Sequence, residues 1–97
     1  MLQNKNLEDY LGKEIEIHYI YQGESIIETG YLHIKTEKGI YVGDKEKRGY
    51  HLINFDSKDS KNDRYGIRLI KDKNKEIIYD NKEIPFNKKG KVQYKKY

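Results

Sequence analysis

Apolar and polar side chains alternate along the first third of the chain, and this alternation predicts β-strands. In EIEIHYIY, residues 14–21, one face carries Ile15, Ile17, Tyr19 and Tyr21. A period of two indicates a strand with one buried face. Gln22-Gly23 then predicts a tight turn, because Gly adopts a positive φ at little cost. A second strand is predicted over 24–36, and Gly30 inside it is typical of a bend.

The same criteria predict four further strands, over residues 40–44, 49–55, 64–70 and 75–80. TEKG at 36–39 predicts a hairpin turn with Gly39 in the left-handed conformation. The polar stretch 56–63, DSKDSKND, predicts a loop. Asn74 is expected to take the left-handed conformation in the turn before the last of these strands.

The two ends of the chain differ in character. QNKNLEDYL, residues 3–11, predicts a short helix that Asn4 or Asn6 caps and Gly12 ends. Its apolar positions are expected to plug one end of a barrel, and they are Leu7, Tyr10 and Leu11. Pro85 ends the preceding strand, and residues 86–97 predict either a last edge strand or a basic tail.

Composition favours one small all-β domain spanning residues 1–97. The chain has 97 residues, with thirteen Ile and ten Tyr but no Ala. β-Branched and aromatic side chains suit a pleated surface, and the absence of Ala disfavours a helical bundle. We therefore expect a small antiparallel β-barrel of five to seven strands with a short N-terminal helix.

Charge is divided unevenly along the chain. Residues 1–44 carry four Lys against eight Asp and Glu, and residues 45–97 carry sixteen Lys and Arg against eight Asp and Glu. The first part therefore has a net charge of −4 and the second +8, within a total of +4. A basic segment attracts polyanions, although solubility alone is an equally good explanation. The absence of Cys and of an export signal leads us to expect a cytoplasmic protein.

GKEIEIHYIYQGESIIETGYLHI, after its helical segment, resembles the opening of the Sm-like family of small barrels. Gly23 corresponds to the turn and Gly30 to the bend of the long second strand. The resemblance implies an Sm-like or SH3-like barrel and ring-like oligomers. It transfers no RNA-binding residues, because residues 35–39 replace the family's Asp and Asn. The composition also resembles small phage and mobile-element proteins, including anti-CRISPR inhibitors.

The residues do not favour an enzyme, and we expect no cofactor and no metal. Three histidines fall on three predicted strands without metal-ligand spacing, and they are His18, His33 and His51. Ser25, Ser57 and Ser60 lack the surroundings of a catalytic serine. The acidic side chains of the first half predict either phosphate mimicry or solvated strand edges, and they are Glu14, Glu16, Glu24, Glu28, Asp44 and Glu46.

Tyrosines next to basic residues are the strongest binding signal, because rings stack on bases while cations contact phosphates. Arg64 and Arg68 flank Gly66, so one strand face is predicted to present a flat basic spot. The candidate nucleic-acid or partner-binding residues are Tyr31, Lys35, Arg48, Tyr50, Arg64, Arg68, Lys88, Lys89, Lys91 and Tyr94.

Two functions remain open at this point. The first is a non-enzymatic module that binds nucleic acid or a nucleotide. The second is a phage- or mobile-element-encoded inhibitor that binds a host defence or nucleic-acid-handling complex, in the host cytoplasm. A weaker third hypothesis is a homo-oligomer formed through an exposed edge strand. No membrane partner is expected, since no apolar run approaches the length of a bilayer.

Overall fold

The computed structural model describes residues 5–58, 64–85 and 92–97, and it is an all-β barrel that is nearly closed. A 3₁₀ turn over Leu7–Tyr10 precedes eight strands in the described ranges. The strands are β1 Glu14–Tyr21, β2 Glu24–Lys35, β3 Gly39–Gly43, β4 His51–Asn54, β5 Asp56–Lys58, β6 Arg64–Lys71, β7 Ile77–Asp80 and β8 Val92–Lys96. The fold class is as predicted, with more strands than the five to seven expected.

The sheet runs in the order β4-β3-β2-β1-β6-β5, with β7 beside β6 and β8 beside β2. β2 is long enough to pair with two hairpin neighbours, since its residues 24–31 pair with β1 and its residues 31–35 with β3. β8 runs parallel to the first half of β2, whereas the other described pairs are antiparallel. The curl of the sheet brings β4 up to β6.

The β1–β2 hairpin agrees with the prediction. β1 has the predicted bounds, and Gln22 and Gly23 form the turn with φ of 51° and 76°. Gly30 is needed for close approach, because a Cβ there would lie 2.7 Å from Cγ1 of Val42. The side chain of Tyr97 also packs over this glycine.

Two predicted turns have a different local basis. Gly39 is not left-handed, and it is required because a Cβ would overlap the carbonyl oxygen of Ile53. In the turn before β7, Lys75 rather than Asn74 adopts a positive φ, of 67°. The predicted polar loop 56–63 begins with a strand, since Asp56–Lys58 pairs with β6, and residues 59–63 lie outside the description.

The predicted N-terminal helix is only a 3₁₀ turn. The side chain of Asn6 caps it by accepting a hydrogen bond from the Glu8 N–H at 3.1 Å. Leu7 is 4% exposed and joins the core, whereas Leu11 is 45% exposed. The expectation that Leu11 plugs the barrel is therefore wrong, because the short turn carries it outward before Gly12 redirects the chain at φ 81°.

The barrel interior is built mainly of isoleucine. The fully buried side chains include Ile15, Ile17, Leu32, Ile40, Val42, Ile67, Ile70 and Ile78. A register shift between β1 and β6 leaves Arg68 without a partner residue on β1. Residues three apart in a regular strand point to opposite faces, and this shift allows Ile67 and Ile70 both to be buried. No helix in the described ranges is long and apolar enough to cross a membrane.

Candidate functional site

An aromatic cleft of about 260 Å³ lies where the β1–β2 hairpin, β4, β6 and β8 meet. Ile26 and Ile53 are buried among its lining residues. Its rings and polar groups belong to Tyr19, Tyr21, Tyr65, His51, Asn54 and Lys95. An apolar concavity with a few converging polar groups is the usual form of a small-ligand site. We refer to it as the aromatic cleft.

Two tyrosine rings form one wall of the aromatic cleft. Tyr21 ends β1 and Tyr65 lies near the start of β6, and the pairing of Ile20 with Gly66 brings these strand ends together. Their ring centroids are 6.4 Å apart with an interplanar angle of 84°, an edge-to-face contact. Tyr21 is 51% exposed, so its ring surface is available to a ligand.

A buried carboxylate lies inside the barrel next to this cleft. Glu28 is fully buried on β2, opposite Ile17 of β1. Tyr19 donates its hydroxyl to Oε1 at 2.9 Å, and His51 Nε2 lies 2.7 Å from Oε2. The hydroxyl of Tyr97 also bonds to Glu28. The cluster thus ties β1, β2, β4 and the residue after β8 to one side chain.

The tyrosine hydroxyls of this cluster are held in their neutral form. Burial raises the pKa of Tyr19, and the neighbouring Glu28 carboxylate raises it further. Burial and Glu28 raise the pKa of Tyr97 in the same way. A protonated hydroxyl can donate to the carboxylate, so the cluster is fully hydrogen-bonded.

Glu28 corrects the prediction of a solvated acidic face. That prediction grouped Glu28 with exposed acids, but its side chain points inward with Ile26 and Leu32. The signal was present in the sequence, because residues 26, 28, 30 and 32 occupy the inner face opposite Ile15, Ile17 and Tyr19. A Glu at an inward-facing position of a strand predicts that hydrogen-bonding side chains are buried next to it.

The predicted basic spot on β6 is occupied by the chain's own carboxylates. Arg64 donates from Nε to Asp56 at 3.0 Å and from Nη2 to Glu83 at 2.9 Å. Arg68 pairs with Asp80. Gly66 between them is buried beneath the backbone of Phe55, so the flat surface expected there is covered.

The other predicted site residues are distributed over separate surfaces. Arg48 pairs with Asp44 at 3.2 Å and with Glu46 at 3.0 Å, in the turn after β3. The ring centroids of Tyr50 and Tyr41 are 5.7 Å apart, on the outer face of β3 and β4.

Lys35 approaches Glu8 at 4.0 Å, and Tyr31 lines a different groove with Tyr10 and Lys13. Tyr94 is 76% exposed on β8. Lys88, Lys89 and Lys91 lie outside the described residues. The structure therefore does not bring the predicted set together.

The histidines have three different partners. His18 contacts Glu16 at 2.9 Å, His33 contacts the carbonyl oxygen of Asp44 at 2.6 Å, and His51 contacts Glu28. Over residues 5–58, 64–85 and 92–97, no three His, Asp or Glu side chains are grouped as metal ligands would be.

The aromatic cleft itself was missed from the sequence. Tyr21, Asn54, Tyr65 and Lys95 come from four strands, and only the curl of the sheet brings them together. No protein-family model matches the chain, and searches of curated proteins and of solved structures found no match.

Proposed function

We propose that the protein is a non-enzymatic binding module for single-stranded nucleic acid or a nucleotide, with a base held in the aromatic cleft. The observation that supports this proposal is the cleft, where the exposed ring of Tyr21, an amide, an imidazole and a lysine surround an apolar floor. Its volume of about 260 Å³ is small for a ligand pocket, which favours a single base as the group it holds.

Each group in the cleft has a role that matches this ligand class. Tyr21 offers a ring for stacking, which is worth roughly 1–3 kcal/mol per base in other proteins. Asn54 can donate to and accept from a base edge. Lys95 is at least partly exposed and has no ion-pair partner in the described chain, so it is available to a phosphate.

The proposal assigns no phosphate contact to Arg64 or Arg68. Both guanidinium groups already contact carboxylates, so a phosphate would have to compete with Asp56, Glu83 or Asp80. The sequence adds Lys88, Lys89 and Lys91 just before β8, which increases the positive charge near Lys95 along the chain.

Binding of labelled single-stranded RNA and DNA across a salt series tests the proposal. The protein is first freed of bound nucleic acid. Affinity that persists near physiological salt, with a steep slope against salt concentration, supports it. Tyr21→Leu is expected to weaken binding about tenfold, while Tyr94→Leu, at an exposed ring outside the cleft, leaves affinity unchanged. Absence of binding, or equal losses from both variants, contradicts the proposal.

A second candidate function is inhibition of another protein, and an exposed apolar row favours it. Ile34, Tyr41 and Leu52 are cross-strand neighbours on the outer face of β2, β3 and β4. Ile34 is 44% and Leu52 37% exposed, and Tyr50 packs beside them. Exposed apolar patches with aromatic rings are common in protein interfaces.

The two candidates respond to different substitutions. If protein binding is the function, Ile34→Lys abolishes co-purification of a partner from cells while Tyr21→Leu does not. If nucleic-acid binding is the function, Ile34→Lys leaves oligonucleotide affinity unchanged.

A further inference from the structure

One edge of β8 carries backbone groups that pair with no strand in the described ranges. Among the described strands, β8 pairs only with β2. The N–H of Tyr97 donates to the carbonyl oxygen of Thr29 at 3.0 Å. Because the backbone groups of successive residues in a strand point to opposite sides, this bond shows which residues of β8 face β2. Gln93 and Lys95 therefore bond toward β2, and the N–H and C=O groups of Tyr94 and Lys96 point away from it.

The side chains at this edge give it a definite charge and an aromatic anchor. Tyr94 is 76% exposed, and Lys95 and Lys96 are also exposed. None of the three forms an ion pair or side-chain hydrogen bond in the part of the chain that the structure describes. The edge thus presents two positive charges beside a tyrosine ring, and no carboxylate of the described residues pairs with either charge.

We propose that β8 is a docking edge for an extended acidic polypeptide segment, which adds to the sheet as a further strand. Backbone pairing provides affinity in this mode, and side chains provide selectivity. Lys95 and Lys96 project to opposite faces, so adjacent Glu or Asp residues on the partner strand contact both. The edge shares Lys95 with the aromatic cleft. The proposal rests on the outward-facing backbone groups of β8, and so it does not depend on base binding in that cleft.

A second copy of this chain is the poorer occupant of the same edge. Two-fold pairing of β8 with itself would place four lysines from two strands in one small area. Lysines on edge strands are a known means of preventing such self-association. The same charges favour a partner of opposite sign.

Backbone amide hydrogen exchange with a synthetic peptide tests this proposal on the full chain. The probe is a ten-residue peptide of Thr and Val with Glu-Glu at its centre. Exchange at Tyr94 and Lys96 is expected to slow when it binds. The amides of Gln93 and Lys95 already bond to β2, so they serve as internal references that change little.

Two controls separate strand pairing from simple charge attraction. A peptide of equal charge whose central nitrogens are methylated cannot pair, and its affinity is expected to fall at least about tenfold. Lys95→Glu with Lys96→Glu is expected to abolish binding, while Lys73→Glu with Lys82→Glu, the same charge change elsewhere, retains it.

Three results would overturn the proposal. Equal affinity for the methylated and the unmethylated peptide means that β8 holds the peptide by charge alone, without strand pairing. Protection of Tyr94 and Lys96 without peptide, in a chain that sediments as a dimer, means that the occupant is a second copy. Protection of the same amides by an oligonucleotide, but not by the peptide, assigns the edge to nucleic acid.

Discussion

Glu28 is the residue that most limits what the barrel core tolerates. A buried carboxylate is costly unless hydrogen bonds compensate it, and here Tyr19, Tyr97 and His51 do so. No buried side-chain nitrogen or oxygen atom in the described ranges lacks a hydrogen-bond partner. The cluster therefore fixes the relative positions of β1, β2 and β4 around the cleft.

Glu28→Gln is expected to destabilise the fold by about 3 kcal/mol. The amide nitrogen of Gln is a donor, so the Tyr19 hydroxyl or the His51 ring that faces it would have to change from donor to acceptor. Urea denaturation measures this loss. Glu37→Gln, at an exposed position in the β2–β3 turn, is the matched control and is expected to change stability by less than about 0.5 kcal/mol. Similar values for the two variants would show that the cluster is not stabilising.

Tyr97 predicts how stability depends on pH. Its pKa is raised above the ordinary value of 10.0, so the folded state holds the phenolic proton more tightly than the unfolded chain. The resulting stability is fully present below pH 10 and is lost as the pH rises above it. The melting temperature is expected to fall as the pH rises above 10, and Tyr97→Phe should make that fall shallower.

The matched control for this measurement is Tyr94→Phe, at the most exposed tyrosine. It removes a phenolic hydroxyl that has no partner in the described chain. We expect its melting temperature to change with pH as in the wild type. If the melting temperature of Tyr97→Phe fell with pH as steeply as in the wild type and in Tyr94→Phe, the role assigned to the Tyr97 hydroxyl would be contradicted.

At the level of single elements, local patterns predicted β1 and the Gln22-Gly23 turn. These features depend on residues close in sequence, and so the sequence determined them. β5 lies in a stretch of turn-forming residues, and pairing with β6 makes it a strand. Gly39 likewise owes its role to Ile53 of a neighbouring strand, a contact that no local pattern contains.

Gly39→Ala is expected to cost about 3 kcal/mol, since the added methyl group would overlap the Ile53 carbonyl and force β3 and β4 apart. Gly12→Ala tests backbone strain alone, because φ is 81° there and no atom lies within 4 Å of the added Cβ. Its expected cost is about 1 kcal/mol. Thermal or chemical denaturation measures the loss of stability in each variant. A larger loss in Gly12→Ala than in Gly39→Ala would contradict the close packing of Gly39 against Ile53.

The sequence predicted either a basic tail or an edge strand over residues 86–97. The structure has a strand at Val92–Lys96, and residues 86–91 lie outside the described ranges. Residues 92–96 pair with β2, and Tyr97 reaches Glu28. A chain ending at residue 91 is expected to melt at least about 10 °C lower, as loss of roughly 2 kcal/mol implies for a domain of this size.

Lys95→Ala with Lys96→Ala provides the comparison for that truncation, because it removes the charges and keeps the strand. We expect an unchanged melting temperature and a salt slope for single-stranded nucleic acid that is shallower by about 0.7 per lost phosphate contact. A truncated chain that melts like the wild type would show that β8 contributes no stability.

For the whole molecule, sequence predicted the class of fold better than the site. Alternation and composition are sufficient to indicate a small barrel, because each strand carries its own inner face. Charge along the chain was less informative, since Arg48, Arg64 and Arg68 all contact carboxylates of the folded chain. The cleft residues come from distant strands, so their proximity follows only from the closed sheet.

Photocross-linking of an oligonucleotide containing 5-iodouracil tests the central claim most directly, because it identifies the residues next to a bound base. The account predicts cross-links at Tyr21 or Tyr65, which disappear in the corresponding Leu variants. Cross-links confined to Tyr50 or Tyr94, or none at protein concentrations that bind the oligonucleotide, would contradict it.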